Sequence, residues 1–407
     1  MNIAYFVWEY PPRLIGGLGT YAAEITKQYA AMGHKLTVFT MNADGKLRTR
    51  EKMGKNISVY RPKSVKMKSL VPLMIDEEIR RWGDGGVDFF GDVFSYNFLS
   101  ADIFCKALKP EDYDIAVCHD WLSSMAGLTV KDNTSLPLAL HMHSTEYGRS
   151  AGKGSPLIKN LEYSTGQKAD LVFTVSYSME EELRALSFPE KKVRVVWNGV
   201  DEQKYSLKNF KPQSLLEYRR RMGVKDDEKM ILFTGRLTFV KGIDTLVRAM
   251  PAVLSKIPKA KLVVLGRGEM SGEIRAIVSQ LGIASKVVLV DKWVDEGERL
   301  LLYASCDLVC APSRYEPFGI VPLEGMGMAK PVVVGVGGLR ETVLDGATGL
   351  YCDPNSPESI ASQLVAILSD DTLARDMGLA GRRRVEKVYT WKKIAKDTIS
   401  LYDTIVK

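Results

Sequence analysis

Residues 230–265 read MILFTGRLTFVKGIDTLVRAMPAVLSKIPKAKLVVL. An apolar run at Met230–Thr234 stops at Gly235, a helix-compatible stretch IDTLVRAMPAVLSK follows, and a second apolar run closes at Lys261–Leu265. Two short apolar runs joined by an amphipathic segment of this length predict a strand–helix–strand unit, the crossover that parallel strands require. Strand-like runs at Val287–Val290, Leu308–Ala311 and Pro331–Gly335 repeat the rhythm, alternating with segments such as SGEIRAIVSQLG. The second half therefore reads as an α/β domain whose sheet is covered on both faces.

Working outward, the first half carries the same pattern. Strands are expected at Asn2–Val7, Lys35–Thr40, Asp114–Cys118, Leu136–His143, Leu171–Val175 and Val193–Trp197, and TYAAEITKQYAAMGHK supplies a first helix that Gly33 can end. The fold class is α/β, as two Rossmann-like parallel-sheet domains facing across a cleft. The expected domains are 1–205, 206–388, and a C-terminal helix at 389–407. Trp391, Ile394, Ala395, Ile399 and Tyr402 give that helix an apolar stripe with which to pack back on the first domain.

Composition narrows the partners. The chain has 407 residues, is 45% hydrophobic and carries a formal charge of +7, which excludes wholesale disorder and suits anionic ligands. No apolar run reaches the roughly 20 residues of a spanning helix. MNIAYFVWEYPP combines a short strand and a turn rather than a charged leader, so the expectation is cytoplasmic, with peripheral membrane contact open. The five cysteines lack CxxC spacing and read as ordinary thiols. The basic segment 46–81 reads first as solvated surface and second as an attractor of phosphate, anionic glycan or lipid. It has no stacking platform, so no nucleic acid is expected.

The chemistry-bearing residues gather at strand ends. Arg236 follows one strand and Lys241 precedes the next helix. Each alone reads as a surface cation, and together they suit the phosphates of a leaving diphosphate. Gly266 and Gly268 in GRGE let main chain approach a nucleotide or simply turn, and Glu269 orients a hydroxyl or caps. In EPFGIVPLE, Glu316 lies in a loop, Gly319 opens a helix and Glu324 lies inside it, so the two carboxylates can address different hydroxyl-bearing ends of one ligand. Gly16, Gly17 and Gly19 form either a ligand loop or a plain turn. His141 and His143 share a strand face, and only the one at the strand end can enter a crevice. His119 and Asp120 organise structure or an acceptor site, because no serine elbow completes a hydrolase triad. DYD at Asp112–Asp114 precedes its strand, the wrong end for donor chemistry in an open parallel sheet.

YPPRLIGGLG, HMHSTEYGR, NGVD, GRLTFVKG, GRGE, EPFGIVPLE and GGLRE together resemble the retaining GT-B glycosyltransferases of group 1, most of all the α-glucan (glycogen) synthase-like branch. EPFGIVPLE is the most specific match, fitting the family's E-x7-E pattern with its internal FG. The resemblance implies that Arg236 and Lys241 bind the diphosphate, Glu316 the donor-sugar hydroxyls and Glu324 the ribose. Backbone around Gly16, Gly17, Gly319 and Ile320 would receive phosphate and sugar, and His143 would contact the transferring sugar. Tyr147 and Arg149 are implied acceptor contacts, and Gly337, Gly338 and Glu341 a turn beside the nucleotide.

The donor implied is ADP-glucose, UDP-glucose or another nucleotide sugar, and the acceptor an α-glucan or small sugar. Metal-independent transfer and no cofactor are expected. GGLG departs from the KxGG of the main bacterial glycogen synthases, which loosens base and acceptor identity. A mannosyl- or glucosyltransferase acting on lipid or surface polysaccharide, a nucleotide-sugar epimerase, and a non-catalytic glycan-binding protein are the alternatives.

Overall fold

The computed structural model describes residues 1–14, 16–42, 44–292 and 294–406, so Ile15 of YPPRLIGGLG lies outside the described residues. The chain divides into two compact units, Met1–Trp197 with Trp391–Lys407, and Asn198–Thr390.

Unit 1 is built on β1 (Asn2–Phe6), β2 (Lys35–Phe39), β3 (Arg50–Met53), β4 (Ile57–Tyr60), β5 (Ile115–His119), β6 (Leu138–Met142), β7 (Leu171–Thr174) and β8 (Val193–Val195). Their order is β3-β4-β2-β1-β5-β6-β7-β8. Every described pairing is parallel except β3 with β4. Every residue of β5, β6 and β7 is buried, which is why these strands read as unbroken apolar runs rather than alternating ones.

The first part of the basic segment forms the β3–β4 hairpin at the sheet edge, with Ile57 and Val59 turned inward, and the short helices Val71–Met74 and Glu77–Arg80 follow in the rest. Arg61, just beyond it, is buried and donates to Glu51 at 2.6 Å and to the Pro11 carbonyl at 2.7 Å. The helix Gly17–Ala31 turns Tyr21, Ala22, Ile25 and Tyr29 into the core, where the C-terminal helix Trp391–Tyr402 contributes Trp391, Ile394, Ala395, Ile399 and Tyr402.

Unit 2 contains β9 (Lys229–Thr234), β10 (Ala260–Leu265), β11 (Val287–Val290), β12 (Leu308–Ala311), β13 (Val332–Val334) and β14 (Gly349–Tyr351). All its described pairings are parallel, in the order β11-β10-β9-β12-β13-β14. In chain order this is 3-2-1-4-5-6, the doubly wound arrangement, and winding reverses between β9 and β12. Unit 1 reverses in the same way between β1 and β5. In such sheets the ligand crevice lies at the carboxyl ends of the strands flanking the reversal.

Candidate active site

In unit 2 the loops after β9 and β12 carry the cations and carboxylates that the sequence singles out. Arg236 is exposed and has no ion pair among the described residues. Lys241 Nζ lies 2.5 Å from Glu316 Oε2, and the Ser313 hydroxyl donates to the same oxygen at 3.4 Å. Both members of the Lys241–Glu316 pair are mostly shielded, with side chains 22% and 17% exposed, so the attraction is less screened than at an open surface.

Gly319 has φ 91° and begins the helix Ile320–Gly327 without a side-chain cap. A Cβ at Gly319 would stand 2.4 Å from Leu339 Cδ2, so both conformation and space demand glycine. The first amides of this helix lack intrahelical acceptors, and no side chain supplies one, which suits an anion at its start.

Glu324, one turn further on, is buried. It accepts the hydroxyls of Tyr205 and Tyr303, each at 2.5 Å, and pairs with Arg299 Nη1 at 3.2 Å. A carboxylate offers about four lone-pair sites, so one remains after these three donors. Burial and then the Glu324 charge raise the pKa of both tyrosines, and Glu324 raises that of Arg299. These three partners escape a reading of the sequence because nothing local to EPFGIVPLE announces them.

The glycines are accounted for largely by loop packing. A Cβ on Gly266 would meet the Gly235 carbonyl at 1.9 Å, and one on Gly268 the Leu237 carbonyl at 2.2 Å. Cβ atoms on Gly337 and Gly338 would strike the carbonyls of Glu316 at 2.6 Å and Pro317 at 2.1 Å. The loops after β9, β10, β12 and β13 thus meet backbone to backbone. Glu269 is exposed, and the Glu341 carbonyl accepts the Tyr389 hydroxyl at 2.8 Å.

In unit 1 the corresponding edge is ring-rich. His119 ends β5 in register with His141 of β6, and His143 lies just past β6. His119 Nδ1 is 3.1 Å from His143 Nε2. His141 Nε2 is 2.7 Å from the Tyr402 hydroxyl, and its Nδ1 is 3.4 Å from that of Tyr21. The three imidazoles offer nitrogens within 4.8 Å of one another; His119 and His143 bond to each other, and His141 bonds to the two tyrosine hydroxyls. Burial depresses the pKa of His119 and His141 well below the ordinary value; it also lowers that of His143, against an opposing pull from Asp120.

Asp120 has φ 49°, an uncommon value for a non-glycine residue, and its Oδ1 accepts the His143 backbone N–H at 2.7 Å. Gly16 precedes the helix Gly17–Ala31, donates its N–H to Glu9 Oε2 at 2.9 Å, and has nothing within 4 Å of where a Cβ would stand. Arg149 is directed inward, to Glu146 at 3.2 Å and Glu162 at 3.1 Å, whereas Tyr147 is exposed. Burial pushes the Glu162 carboxyl up to about 8 against the pull of Arg149. Asp114 sits at the opposite edge of the sheet, accepting the Asn2 amide at 2.6 Å.

Residues 15–204 match the family model Glycosyltransferase Family 4, and residues 216–384 match Glycosyl transferases group 1. A glycosyltransferase of Methanocaldococcus jannaschii, itself described as uncharacterised, is 35% identical over 410 residues, spanning 99% of this chain and 98% of its own. The chain is a GT-B glycosyltransferase of group 1. A glycogen synthase of Mycobacterium tuberculosis is 26% identical across 99% of this glycosyltransferase and 94% of its own length. The sucrose-phosphate synthase of Thermosynechococcus elongatus superposes with a TM-score of 0.77 at 24% identity, covering 99% of this chain and 98% of that one. The glycosyltransferase is thereby related to the glycogen synthase branch, and its two α/β units are those expected of the fold that the sucrose-phosphate synthase shares. Among the described residues no helix is long and apolar enough to cross a membrane.

Proposed function

We propose that this enzyme transfers a glucosyl unit, with retention, from ADP-glucose or UDP-glucose to an α-glucan or small glucosyl acceptor. The observation that carries this reading is the convergence of Arg236, Lys241, Glu316 and the uncapped helix start at Gly319–Ile320 on the β9/β12 reversal of a doubly wound sheet. The glucosyl donor and glucan acceptor follow from kinship with the glycogen synthase. A reducing, cytoplasmic setting fits the five free cysteines.

In this mechanism Arg236 and Lys241 take up the diphosphate charge as the bond from the anomeric carbon to the phosphate oxygen breaks. The Lys241–Glu316 pair divides a task between groups of opposite capability, since an ammonium only donates and a carboxylate only accepts. When Lys241 turns to phosphate, Glu316 is released to accept donor-sugar hydroxyls. Ile320 at the helix start adds main-chain polarity toward phosphate, and the remaining lone pair of Glu324 accepts a ribose hydroxyl. The loop of Gly266 and Gly268 borders the nucleotide. In unit 1, His143 contacts the transferring sugar and the main chain of Gly16 and Gly17 receives phosphate or sugar. The acceptor hydroxyl attacks on the face the diphosphate leaves, and its proton passes to the departing phosphate oxygen.

Incubating the purified chain with a matrix of nucleotide sugars and acceptors, and resolving products by mass, tests this. Hexose addition to an α-glucan or glucosyl acceptor is expected, and it should persist after chelation because two protein cations serve the leaving group. Donor epimerisation without transfer, or saturable glycan binding without turnover, would overturn it.

A second reading, transfer to an acceptor carried at an anionic membrane, is favoured by one patch. Val65, Leu70, Leu73, Met74 and Trp82 are all exposed, Leu73 at 81%, alongside exposed Lys63, Lys66, Lys68, Arg80 and Arg81. Flotation with anionic and neutral vesicles decides it: co-flotation with anionic vesicles that Leu73→Asp abolishes supports this reading, and no co-flotation removes it.

A further inference from the structure

We propose that His119 is a positioning residue that holds His143 in its Nδ1–H tautomer, making His143 a hydrogen-bond donor toward the transferred sugar; this rests on the reading of His143 as a sugar contact. His119 and His143 meet through His119 Nδ1 and His143 Nε2, 3.1 Å apart. Their rings are inclined by only 24° with centroids 5.3 Å apart, the arrangement of two imidazoles sharing a proton edge to edge. Both rings are held neutral by burial, so the bridge contains one proton, and which ring owns it decides the tautomer of both.

The far side of His119 makes that choice. Its Nε2 is enclosed and has no hydrogen-bond partner, and the hydroxyl of Tyr5, whose ring centroid lies 4.5 Å from that of His119, is likewise enclosed without one. If His143 owned the bridging proton, neutral His119 would have to carry its own on Nε2, leaving a buried N–H with no acceptor. If His119 owns it, Nε2 presents only a lone pair. Orphaned buried N–H groups are rarer than under-used acceptors, so His119 Nδ1–H donates to His143 Nε2.

His143 must then carry its proton on Nδ1. That atom has no partner among the described residues and is not among the enclosed unpartnered atoms, which leaves it facing outward. The neighbours hold the ring in this pose. The Tyr21 ring meets that of His143 edge-on, with centroids 4.6 Å apart. Asp120, in its unusual positive-φ conformation, fixes the His143 backbone N–H at 2.7 Å. The adjacent residues His119 and Asp120 therefore grip His143 at ring and backbone respectively, which gives both a role without any direct touch on substrate.

The chain has four histidines, so a ¹⁵N-histidine-labelled sample gives an assignable long-range proton–nitrogen spectrum. The wild-type spectrum should show His143 protonated at Nδ1 and bare at Nε2; the reverse would overturn the proposal. His119→Asn keeps an N–H near the place of Nδ1, whereas His119→Leu removes it. His119→Leu should lower kcat about 10- to 100-fold with the donor KM little changed, and His119→Asn should recover most of the loss. A merely structural role would lower melting temperature and activity together in both variants, and that result, or wild-type kcat in His119→Leu, would overturn the proposal. If His143→Ala transfers at the wild-type rate, the sugar-contact reading fails instead, a failure kept separate because the wild-type tautomer is read without any variant.

Discussion

The carboxyl edges of the two sheets share a topology and differ in chemistry. At the β1/β5 reversal, unit 1 presents His119, His141 and His143 among tyrosines, mostly enclosed and uncharged. At the β9/β12 reversal, unit 2 presents an exposed arginine, a Lys–Glu pair and loops brought together by glycine. The doubly wound sheet determines where a ligand can sit, and the side chains determine what it is. Fixed charge in unit 2 suits a polyanion. Neutral rings with assignable donors and acceptors in unit 1 suit hydroxyls.

The largest effect expected from this contrast is on turnover. Arg236→Ala or Lys241→Ala should lower the rate of transfer by about 10²- to 10³-fold, with thermal unfolding almost unchanged for Arg236→Ala, since Arg236 is exposed and has no ion pair among the described residues. Lys241→Ala leaves Glu316 without its cation and should also weaken donor binding. Near-normal transfer by both variants would break the assignment of charge to unit 2.

Next in size is the cost of filling the loop contacts. Gly266→Ala would drive a Cβ to 1.9 Å from the Gly235 carbonyl, so the loops must separate. Overpacking of this kind costs about 1–3 kcal/mol, and a lowered melting temperature should accompany lost activity. Unchanged melting would mean that the loops after β9 and β10 yield freely.

A smaller effect separates the units by pH, because all four histidines lie in unit 1. Folding depresses His119, His141, His143 and His34, so the stability they contribute is complete above the unfolded histidine value of about 6.5 and is lost as pH falls below it. Glu162 has the opposite sign. With its folded value near 8, its contribution is complete below the unfolded carboxyl range and is lost as pH rises toward 8. From pH 8 to 6.5 the glutamate alone acts and unit 1 should gain stability; from 6.5 to 5 the histidines outnumber it and unit 1 should lose. Amide exchange by mass spectrometry across that range should show the rise and fall in 1–197, and equal acid response in 198–390 would count against it.

How far each region was legible depended on the range of its contacts. β5 to β7, β9, β10 and β12 announce themselves because burial on both faces writes a nearly continuous apolar run, and β11, a half-buried edge strand, is apolar throughout. β3 does not: its REKM alternates only between half-buried and exposed residues, so charge masks the strand. The helix Gly83–Asp102 begins GDGG, which reads as a loop. In EPFGIVPLE the spacing of Glu316 and Glu324 was readable, yet their partners Lys241, Tyr205 and Tyr303 come from distant segments that only the fold assembles. The His119–His143 contact was hidden for the same reason, since it depends on the register of β5 against β6.

The smallest expected effect tests what a glycine signifies. Gly266 is required by its neighbours, whereas Gly16 has an extended φ of −153° and nothing within 4 Å of a built Cβ. Gly16→Ala should therefore cost no stability, since a compatible loop substitution of this kind adds about 0.4–1 kcal/mol. The space beside Gly16 then has two explanations. In a plain turn it is incidental, and Gly16→Ala will transfer sugar at the wild-type rate. If main chain there must approach a phosphate or sugar, the added methyl group stands between them, and transfer should fall several-fold without any loss of melting temperature. Activity and stability falling together would mean instead that the methyl disturbs the Gly16–Glu9 hydrogen bond. Glu9→Gln separates that case, because it weakens the bond without entering the space.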